Sequence, residues 1–339
     1  MDFAYATLGL LILLFAGDSL VRGAVNLSLR LGVPALIVSL TIVAFGTSAP
    51  EMLISVQAVL DGVPGLAMGN VVGSNTANIL LVLGVPALLT GLNTAGTDTK
   101  RNFVLMIAAT VGFIALAQGG RFGWPQGLAL LAGLALMLGS ALREAQVHRR
   151  EVKAQLAAAH AARGEALDPD ALEAEAEAEE AGGVEGLDPD MAWWKVFAFL
   201  AIGLVGLPLG AQILVDSATS IARDYGVSET VIGLTLVAIG TSLPELATTV
   251  MAAYRNQADV ALGNVIGSNM FNLLAIIGVA ALVGPLPVEP KLLHYDLWVM
   301  LAASLLIGPF VFRGWRMGRA WGTVFVGLYG VYLMAILAH

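Results

Sequence analysis

The sequence predicts an all-α integral membrane protein in which ten transmembrane helices form two inverted five-helix repeats. Three observations lead to this prediction: an apolar composition, ten apolar segments long enough to cross a bilayer, and an internal repeat. Of the 339 residues, 58% are hydrophobic and only 12% are charged. Soluble globular proteins average about 45–50% apolar and about 25% charged residues.

The charged residues are concentrated in one acidic segment. Residues 143–190 hold 13 of the 25 acidic residues and 5 of the 17 basic ones, which accounts for the whole net charge of −8. The rest of the chain has too few charges for a water-facing surface, so the lipid bilayer is its predicted partner. Soluble enzymes, nucleic-acid-binding proteins and disordered scaffolds are excluded. The absence of cysteine excludes disulfides and thiolate metal sites.

Ten apolar segments lie between charged or Gly/Pro-rich breaks. A bilayer core of about 30 Å needs about 20 helical residues to cross it. The fifth and ninth segments are short for this purpose, and the second is long enough to be tilted or broken. The predicted spans lie near 3–21, 33–60, 66–91, 102–119, 126–142, 194–215, 230–253, 261–284, 297–312 and 321–338.

The distribution of Lys and Arg predicts the orientation. With the N-terminus outside, the inner loops carry fourteen basic residues, and the outer loops carry only Arg121, Arg223 and Lys291. Cytoplasmic loops are the ones enriched in Lys and Arg. We therefore expect a multi-pass protein of the plasma (inner) membrane with both termini outside and the acidic loop 143–192 in the cytoplasm.

Two pairs of sequence blocks repeat at a constant offset of 194 residues. The block GVPALIVSLTIVAFGTSAPE at 32–51 matches GVSETVIGLTLVAIGTSLPE at 226–245 in 11 of 20 positions. The block GNVVGSNTANILLVLG at 69–84 matches GNVIGSNMFNLLAIIG at 263–278 in 9 of 16 positions. The predicted units are a first five-helix repeat at 1–142, an acidic Ala/Glu-rich loop at 143–192 and a second repeat at 193–339.

An odd number of spans in each copy implies that the second copy enters the membrane with the opposite orientation. Inverted repeats of this kind are typical of transporters, whose substrate site lies at the midplane where the two copies meet. Two similar halves can also exchange inward-facing and outward-facing conformations, which is the basis of alternating access.

Glu51 and Glu245 are the candidate centre of such a site. Each lies inside a predicted span, where a carboxylate costs roughly 2.5–3.5 kcal/mol and is a functional-site hypothesis by default. Neither span contains a Lys or Arg that could neutralise the acid. Two unpaired carboxylates would repel each other in a low dielectric, so bound cations or bound protons must compensate them.

The residues around the glutamates are rich in hard oxygen donors. Pro50 and Pro244 lack an N–H, so the helices should open before them and release carbonyls at 44–46 and 238–240. Oxygen donors of these kinds suit Na⁺ and Ca²⁺. The neighbouring side chains are Thr47 and Ser48, Thr241 and Ser242, Ser74 and Asn78, and Ser268 and Asn272.

The charges of this site predict exchange. Two carboxylates balance one Ca²⁺ or two Na⁺, and an unloaded charged site resists moving through the membrane centre. The change between inward-facing and outward-facing conformations would then occur only with ions bound, which produces antiport. The glycines Gly69 and Gly73, with their equivalents Gly263 and Gly267, also fit a second interpretation as small-residue packing between membrane helices.

With these two blocks, GTSAPE…GNVVGSNTAN and GTSLPE…GNVIGSNMFN, the chain resembles the calcium/cation antiporter superfamily, as a prokaryotic sodium/calcium exchanger-like member. The resemblance implies ten helices in two inverted repeats and exchange of Na⁺ for Ca²⁺ at central ion sites. It implies that Glu51 and Glu245 bind the ions together with the carbonyls of Ala44 and Ala238, the hydroxyls of Thr47, Ser48, Thr241, Ser242, Ser74 and Ser268, and the amides of Asn78 and Asn272.

One departure from the family pattern concerns the two amides. Many relatives place an aspartate at one of the two positions held here by Asn78 and Asn272, so K⁺ coupling is disfavoured and the stoichiometry does not transfer. Proton/calcium exchangers of the superfamily lack the paired GTS-x-PE and GSN motifs.

The leading functional prediction is a secondary active Na⁺/Ca²⁺ antiporter, not an enzyme, for which a monomer suffices and which needs no organic cofactor. The alternatives are a Ca²⁺/H⁺ antiporter that uses the same glutamates as proton carriers, and a cation channel, which a single midplane site disfavours. The acidic loop reads as a solvated, partly helical linker, with a regulatory Ca²⁺ site as the other interpretation.

Overall fold

A computed structural model of the protein describes residues 1–31, 33–94, 99–163, 191–226 and 238–337, most of which are helical. The elements of the first half are α1 (Asp2–Leu31), α2 (Ala35–Val38), the π-helical turn Ser39–Val43, α3 (Ala44–Thr47), α4 (Ala49–Leu60), α5 (Pro64–Ala77), the π-helical turn Asn78–Val82, α6 (Gly84–Leu89), α7 (Lys100–Ala117), β1 (Arg121–Phe122) and α8 (Trp124–Arg163).

The second half continues the same pattern. Its elements are α9 (Trp193–Asp224), α10 (Ala238–Gly240), α11 (Leu243–Tyr254), α12 (Ala258–Phe271), the π-helical turn Asn272–Ile276, α13 (Ile277–Val283), β2 (Leu286–Pro287), the π-helical turn Leu292–Asp296, α14 (Leu297–Leu305), α15 (Gly308–Arg313) and α16 (Arg319–Leu337).

The described residues contain eight helical segments long and apolar enough to cross a bilayer. The helices Ala35–Thr47 and Ala49–Leu60, which meet at a bend of 43°, make a ninth if they are one broken span. The chain is therefore an all-helical, multi-pass membrane protein. The predicted seventh span, 230–253, is described only from Ala238 onward, so the count of ten helices stays a prediction.

Several helices extend beyond the predicted spans. The first helix runs to Leu31 instead of residue 21, and the sixth runs to Asp224 instead of 215. The fifth helix continues to Arg163, but its part apolar enough to cross a membrane is Trp124–Arg143, which agrees with the predicted 126–142. The helical stretch beyond it lies in the segment predicted as a partly helical linker, of which 164–190 lie outside the described residues. The ninth span begins at Leu292 rather than 297, so it is not short.

Helix α1 continues past its apolar stretch because its polar side chains find partners. Arg22 forms an ion pair of 3.0 Å with Asp18 one turn earlier. Arg30 Nη2 donates to the Met191 carbonyl at 2.6 Å, and its guanidinium lies 5.5 Å from the centre of the Trp193 ring. These contacts give Arg22 and Arg30 polar partners at the edge of the apolar region, so the helix can continue there.

Helices α1 and α9 pack against each other along most of their length. Gly203 permits this close approach, because a Cβ at that position would lie 2.5 Å from the Cβ of Leu20. Small residues have the same role in many membrane helix pairs, where packing rather than water exclusion drives association.

Two contacts join loops that we predict on the same side of the membrane. Strands β1 and β2 pair antiparallel, joining two loops that we predict on the outer side. An isolated bridge joins Leu92 to Met317, in two loops predicted on the inner side.

Candidate cation-binding site

A break in the helix precedes each of the two glutamates. Ser48 leaves helical geometry with φ −85° and ψ 3°, and Ser242, its equivalent 194 residues later, has φ −90° and ψ 5°. Pro50 and Pro244 occupy the first turn of the helices that follow, where proline has no hydrogen bond to lose. The prediction that the chain opens before the prolines is confirmed.

The carbonyl expected to be released at Ala44 is not free. It accepts hydrogen bonds from the Ser48 N–H at 3.0 Å and from Thr47 Oγ1 at 3.3 Å. The expectation that the break frees this oxygen is therefore wrong, because Ser48, the residue at which the chain leaves the helix, still donates its N–H to Ala44. Pro50 has no N–H to offer the Gly46 carbonyl. In the second half the Ser242 N–H donates to Ile239 O at 3.0 Å.

The glutamates are deeply buried, with 1% of Glu51 and none of Glu245 exposed. Ser48 Oγ donates to Glu245 Oε1 at 3.1 Å, a hydrogen bond between the two halves of the chain. The Thr47 and Ser268 hydroxyls lie beside the same carboxylate. The two carboxylates are close enough to repel each other. Within the described part of the chain, neither forms an ion pair with a basic residue.

Two asparagines hold the glutamate helices in equivalent ways. Asn70 Nδ2 donates to the Glu51 carbonyl at 3.5 Å and to Ser55 Oγ at 3.1 Å. Asn264 Nδ2 donates to the Glu245 carbonyl at 3.4 Å and to Thr249 Oγ1 at 3.1 Å. Each glutamate is thereby fixed to the next helix of its own half.

A second set of asparagines connects the halves. Asn75 Nδ2 donates to the Asn269 carbonyl at 3.1 Å, and Asn269 Nδ2 donates to the Asn75 carbonyl at 3.3 Å. Asn78 Nδ2 donates to Asn269 Oδ1 at 3.1 Å, and Asn272 Nδ2 donates to Asn75 Oδ1 at 3.0 Å. The four hydrogen bonds are reciprocal, as expected for two halves related by a pseudo-two-fold axis.

Asn78 and Asn272 each begin a π-helical turn. The turn that starts at Asn78 packs against α11, which carries Glu245, and the turn that starts at Asn272 packs against α4, which carries Glu51. Each amide is thus placed against the glutamate helix of the other half. Single π turns within α-helices occur frequently at functional sites.

Six buried side-chain atoms of this region have no hydrogen-bond partner among the described residues. They are Glu51 Oε2, Glu245 Oε2, Asn78 Oδ1, Asn272 Oδ1, Ser242 Oγ and Ser268 Oγ. Leaving a buried acceptor unpaired costs about 1–3 kcal/mol, and more for a charged group. A cation bound by these oxygens would remove the cost, and hard oxygen ligands are those preferred by Ca²⁺ and Na⁺. The residues fit such an ion.

The site contains two acidic side chains, Glu51 and Glu245. Among the described residues, no group of three or more His, Cys, Asp or Glu side chains could hold a metal. The oxygen donors of this site are therefore mostly neutral, and their charge is −2 when both carboxylates are ionised.

The remaining predicted ligands lie around this centre. Ser74 is 3% exposed, and together with Thr241 it lines a cavity of about 490 Å³ that extends to Glu289 and Lys291. Ala238 begins α10, which packs against α5.

The glycine motif of the second half serves close packing. A Cβ on Gly267 would lie 2.5 Å from the Leu40 carbonyl and 2.6 Å from the Cβ of Ala44. This contact brings α12, and Ser268 with it, against the broken helix of the first half. The packing interpretation holds at Gly267, and it also helps to build the site.

Sequence reasoning missed Asn70, Asn75, Asn264 and Asn269 as contributors. The available signal was their identity in both copies of the repeat. They sit beside the residues singled out as ligands and make hydrogen bonds that a sequence does not display.

Comparisons with known proteins show the family to which the chain belongs. The family model described as "Sodium/calcium exchanger protein" matches residues 1–142 and 195–338. The chain is 33% identical over 346 residues to the sodium/calcium exchanger MaX1 of Methanosarcina acetivorans, covering 99% of this chain and 98% of that protein. It is also 33% identical over 334 residues to the inner membrane protein YrbG of Escherichia coli, covering 97% and 95% respectively.

A solved structure of the sodium-calcium exchanger NCX_Mj, soaked with Na⁺ and Sr²⁺, has a TM-score of 0.77 and 29% sequence identity. The match covers 98% of this chain and 97% of that one. The chain therefore belongs to the sodium/calcium exchanger family, whose members are secondary transporters of Na⁺ and Ca²⁺ rather than enzymes and use no organic cofactor.

Proposed function

We propose that this protein exchanges Na⁺ for Ca²⁺ by alternating access around a midplane site that contains Glu51 and Glu245. The single observation that supports this most directly is the pair of buried carboxylates that lack a basic partner in the described residues and each keep one oxygen without a hydrogen bond. Such a pair needs cationic compensation, which the transported ions would supply.

The proposed ligands are those expected from the sequence. The glutamates are joined by the hydroxyls of Thr47, Ser48, Thr241, Ser242, Ser74 and Ser268, the amides of Asn78 and Asn272, and the carbonyls of Ala44 and Ala238. A carbonyl oxygen has two lone pairs, so Ala44 would bind an ion only in exchange for its hydrogen bond from Thr47.

The charge of the site couples the ions to each other. One Ca²⁺ or two Na⁺ neutralise the two carboxylates, so either load allows the site to change its access. Without ions, two like charges in a low dielectric oppose the same movement. The loaded states therefore change between inward-facing and outward-facing conformations, and the unloaded state does not. This prevents a leak of either ion.

The proposed topology has ten helices in two inverted repeats, 1–142 and 193–339, separated by the loop 143–192. The reciprocal hydrogen bonds between residues related by an offset of 194 support an internal two-fold relation. We place the chain in the inner membrane, in keeping with the name of its Escherichia coli relative, with both termini outside and the acidic loop in the cytoplasm.

The test is Ca²⁺ uptake into Na⁺-loaded proteoliposomes diluted into Na⁺-free buffer. Wild-type protein should take up Ca²⁺ only while the outward Na⁺ gradient exists. Glu51→Gln and Glu245→Gln should abolish uptake, because each removes half of the charge that binds the ions. Asp61→Asn is the matched control, since this exposed carboxylate follows the helix that carries Glu51 and accepts a hydrogen bond from Gln57 Nε2 at 2.8 Å.

Two outcomes would contradict the proposal. Uptake that follows an imposed pH gradient and ignores Na⁺ would establish the Ca²⁺/H⁺ antiporter, in which protons neutralise the same two glutamates. Ca²⁺ flux that needs no counter-ion would indicate a channel and would exclude both kinds of exchange.

A further inference from the structure

We propose that Asn75 and Asn269 are positioning residues, and that each orients an ion-binding amide in the opposite half of the chain. Asn75 would orient Asn272, and Asn269 would orient Asn78. The inference rests on the proposed function, because it assumes that the amide oxygens of Asn78 and Asn272 bind the transported ions.

The argument starts from a backbone carbonyl, which can only accept hydrogen bonds. Asn75 Nδ2 lies 3.1 Å from the Asn269 carbonyl, so that end of the Asn75 amide has to be the NH₂ group. The Asn75 Oδ1 atom therefore points the other way, where it meets the side chain of Asn272 at 3.0 Å.

The orientation of Asn272 follows from the same requirement. An amide oxygen cannot donate, so the Asn272 atom that faces Asn75 Oδ1 has to be Nδ2. The Asn272 Oδ1 atom is then left buried and without a hydrogen-bond donor among the described residues. An acceptor in this state is what a cation ligand requires.

An equivalent series of hydrogen bonds orients Asn78. Asn269 Nδ2 donates to the Asn75 carbonyl, and Asn269 Oδ1 accepts from Asn78 Nδ2. This leaves Asn78 Oδ1 as the buried, unpartnered atom. All four asparagines are at most 1% exposed, so water does not compete for these positions. Because both chains of contacts cross between the halves, each amide ligand depends on a residue of the other repeat.

We predict that the effects of substitutions on Ca²⁺ affinity are coupled across the two halves of the chain, Asn75 with Asn272 and Asn269 with Asn78. With Asn75→Ala, Asn272 loses the acceptor that orients its amide, and Ca²⁺ affinity should fall about 10-fold to 100-fold, as for other partners that orient metal ligands. The same substitution should have no further effect in Asn272→Ala, where no amide is left to orient. It should keep its full effect in Asn78→Ala, although Asn78 is only three residues away on the same helix.

The experiment measures Ca²⁺ dissociation constants by titration calorimetry in Na⁺-free detergent for the full-length wild type, the three single variants and the two double variants. Asn269→Ala provides the mirror test, in which Asn78→Ala and Asn272→Ala exchange roles, and it serves in place of Asn75→Ala if that protein is not monodisperse. A merely structural role would lower the unfolding temperature but would affect the dissociation constant equally in both backgrounds.

The results separate the two proposals. Crossed coupling supports the positioning role. Unchanged affinity in Asn75→Ala, or equal effects in the two double variants, would overturn that role while leaving the exchanger intact. Wild-type protein that binds no Ca²⁺ would overturn both.

Discussion

The Ser48 hydroxyl donates to Glu245 Oε1 at 3.1 Å, although the two residues lie 197 positions apart in the chain. Each belongs to one of the repeated GTS-x-PE motifs. One motif therefore completes the environment of the acid in the other. The site is shared between the halves, and movement of one half against the other must change the surroundings of both carboxylates.

Ser48→Ala tests this contact. A hydrogen bond to a charged group contributes about 1.5–3 kcal/mol, and Glu245 would lose it together with a proposed ion ligand. We expect the KM for Ca²⁺ in proteoliposomes to rise about 10-fold or more. Ser304→Ala is the control, since this buried hydroxyl bonds the Met300 carbonyl of its own helix rather than a carboxylate. Equal KM values in the two variants would contradict the assignment.

Gly267→Ala tests the close packing of α12. The added methyl group would lie 2.5 Å from the Leu40 carbonyl, and overpacking of this kind costs about 1–3 kcal/mol. Thermal unfolding in detergent should therefore occur at a lower temperature, and transport should slow. Gly112→Ala, at an exposed site where no described atom lies within 4 Å of the added carbon, should change neither. A Gly267→Ala protein as stable as wild type would refute the packing argument.

The ion pair between Asp18 and Arg255 should be structural. Arg255 Nε donates to Asp18 Oδ1, which links α1 to the end of α11, and the two side chains are 19% and 16% exposed. Asp18→Asn should destabilise the protein by about 1.5–3 kcal/mol, because the Arg255 charge is left partly buried. Arg255→Gln should cost less, because Asp18 keeps its ion pair with Arg22.

The double variant should be less destabilised than the sum of the single variants, which unfolding measurements on all three proteins would show. The dissociation constant for Ca²⁺ should stay unchanged in Asp18→Asn. Weaker Ca²⁺ binding in this variant would place Asp18 on the ion path and would contradict a purely structural role.

Removal of Ca²⁺ should destabilise the folded protein. A ligand present at about 100 times its dissociation constant adds about 2.7 kcal/mol of stability. Chelation of Ca²⁺ in Na⁺-free detergent should therefore lower the unfolding temperature of wild-type protein. Glu245→Gln should show no such shift, because the carboxylate that binds the ion is gone. An equal shift in this variant would indicate that Ca²⁺ binds elsewhere.

Much of the fold and of the candidate site is readable from the sequence. Hydrophobic segments mark the spans, and Pro50 and Pro244 mark the breaks, because these properties depend on neighbouring residues only. The end of α1 differs from the predicted one because Arg22 looks like the end of a span until its ion pair with Asp18 is seen. The Ala44 carbonyl was expected to be free, but the Ser48 N–H still donates to it. A proline marks a break in the helix without giving the exact residue at which the last hydrogen bond forms.

By itself, the sequence determined that this protein is a membrane protein with two related halves and an acid in each, since composition and repetition are properties of the chain. Only the tertiary structure decided how the halves meet. The hydrogen bonds from Asn75 to Asn269, and from Ser48 to Glu245, join residues nearly 200 positions apart. They exist because α5 packs against α12 and α3 packs against α11, and contacts across such a distance follow from three-dimensional packing that no local pattern records.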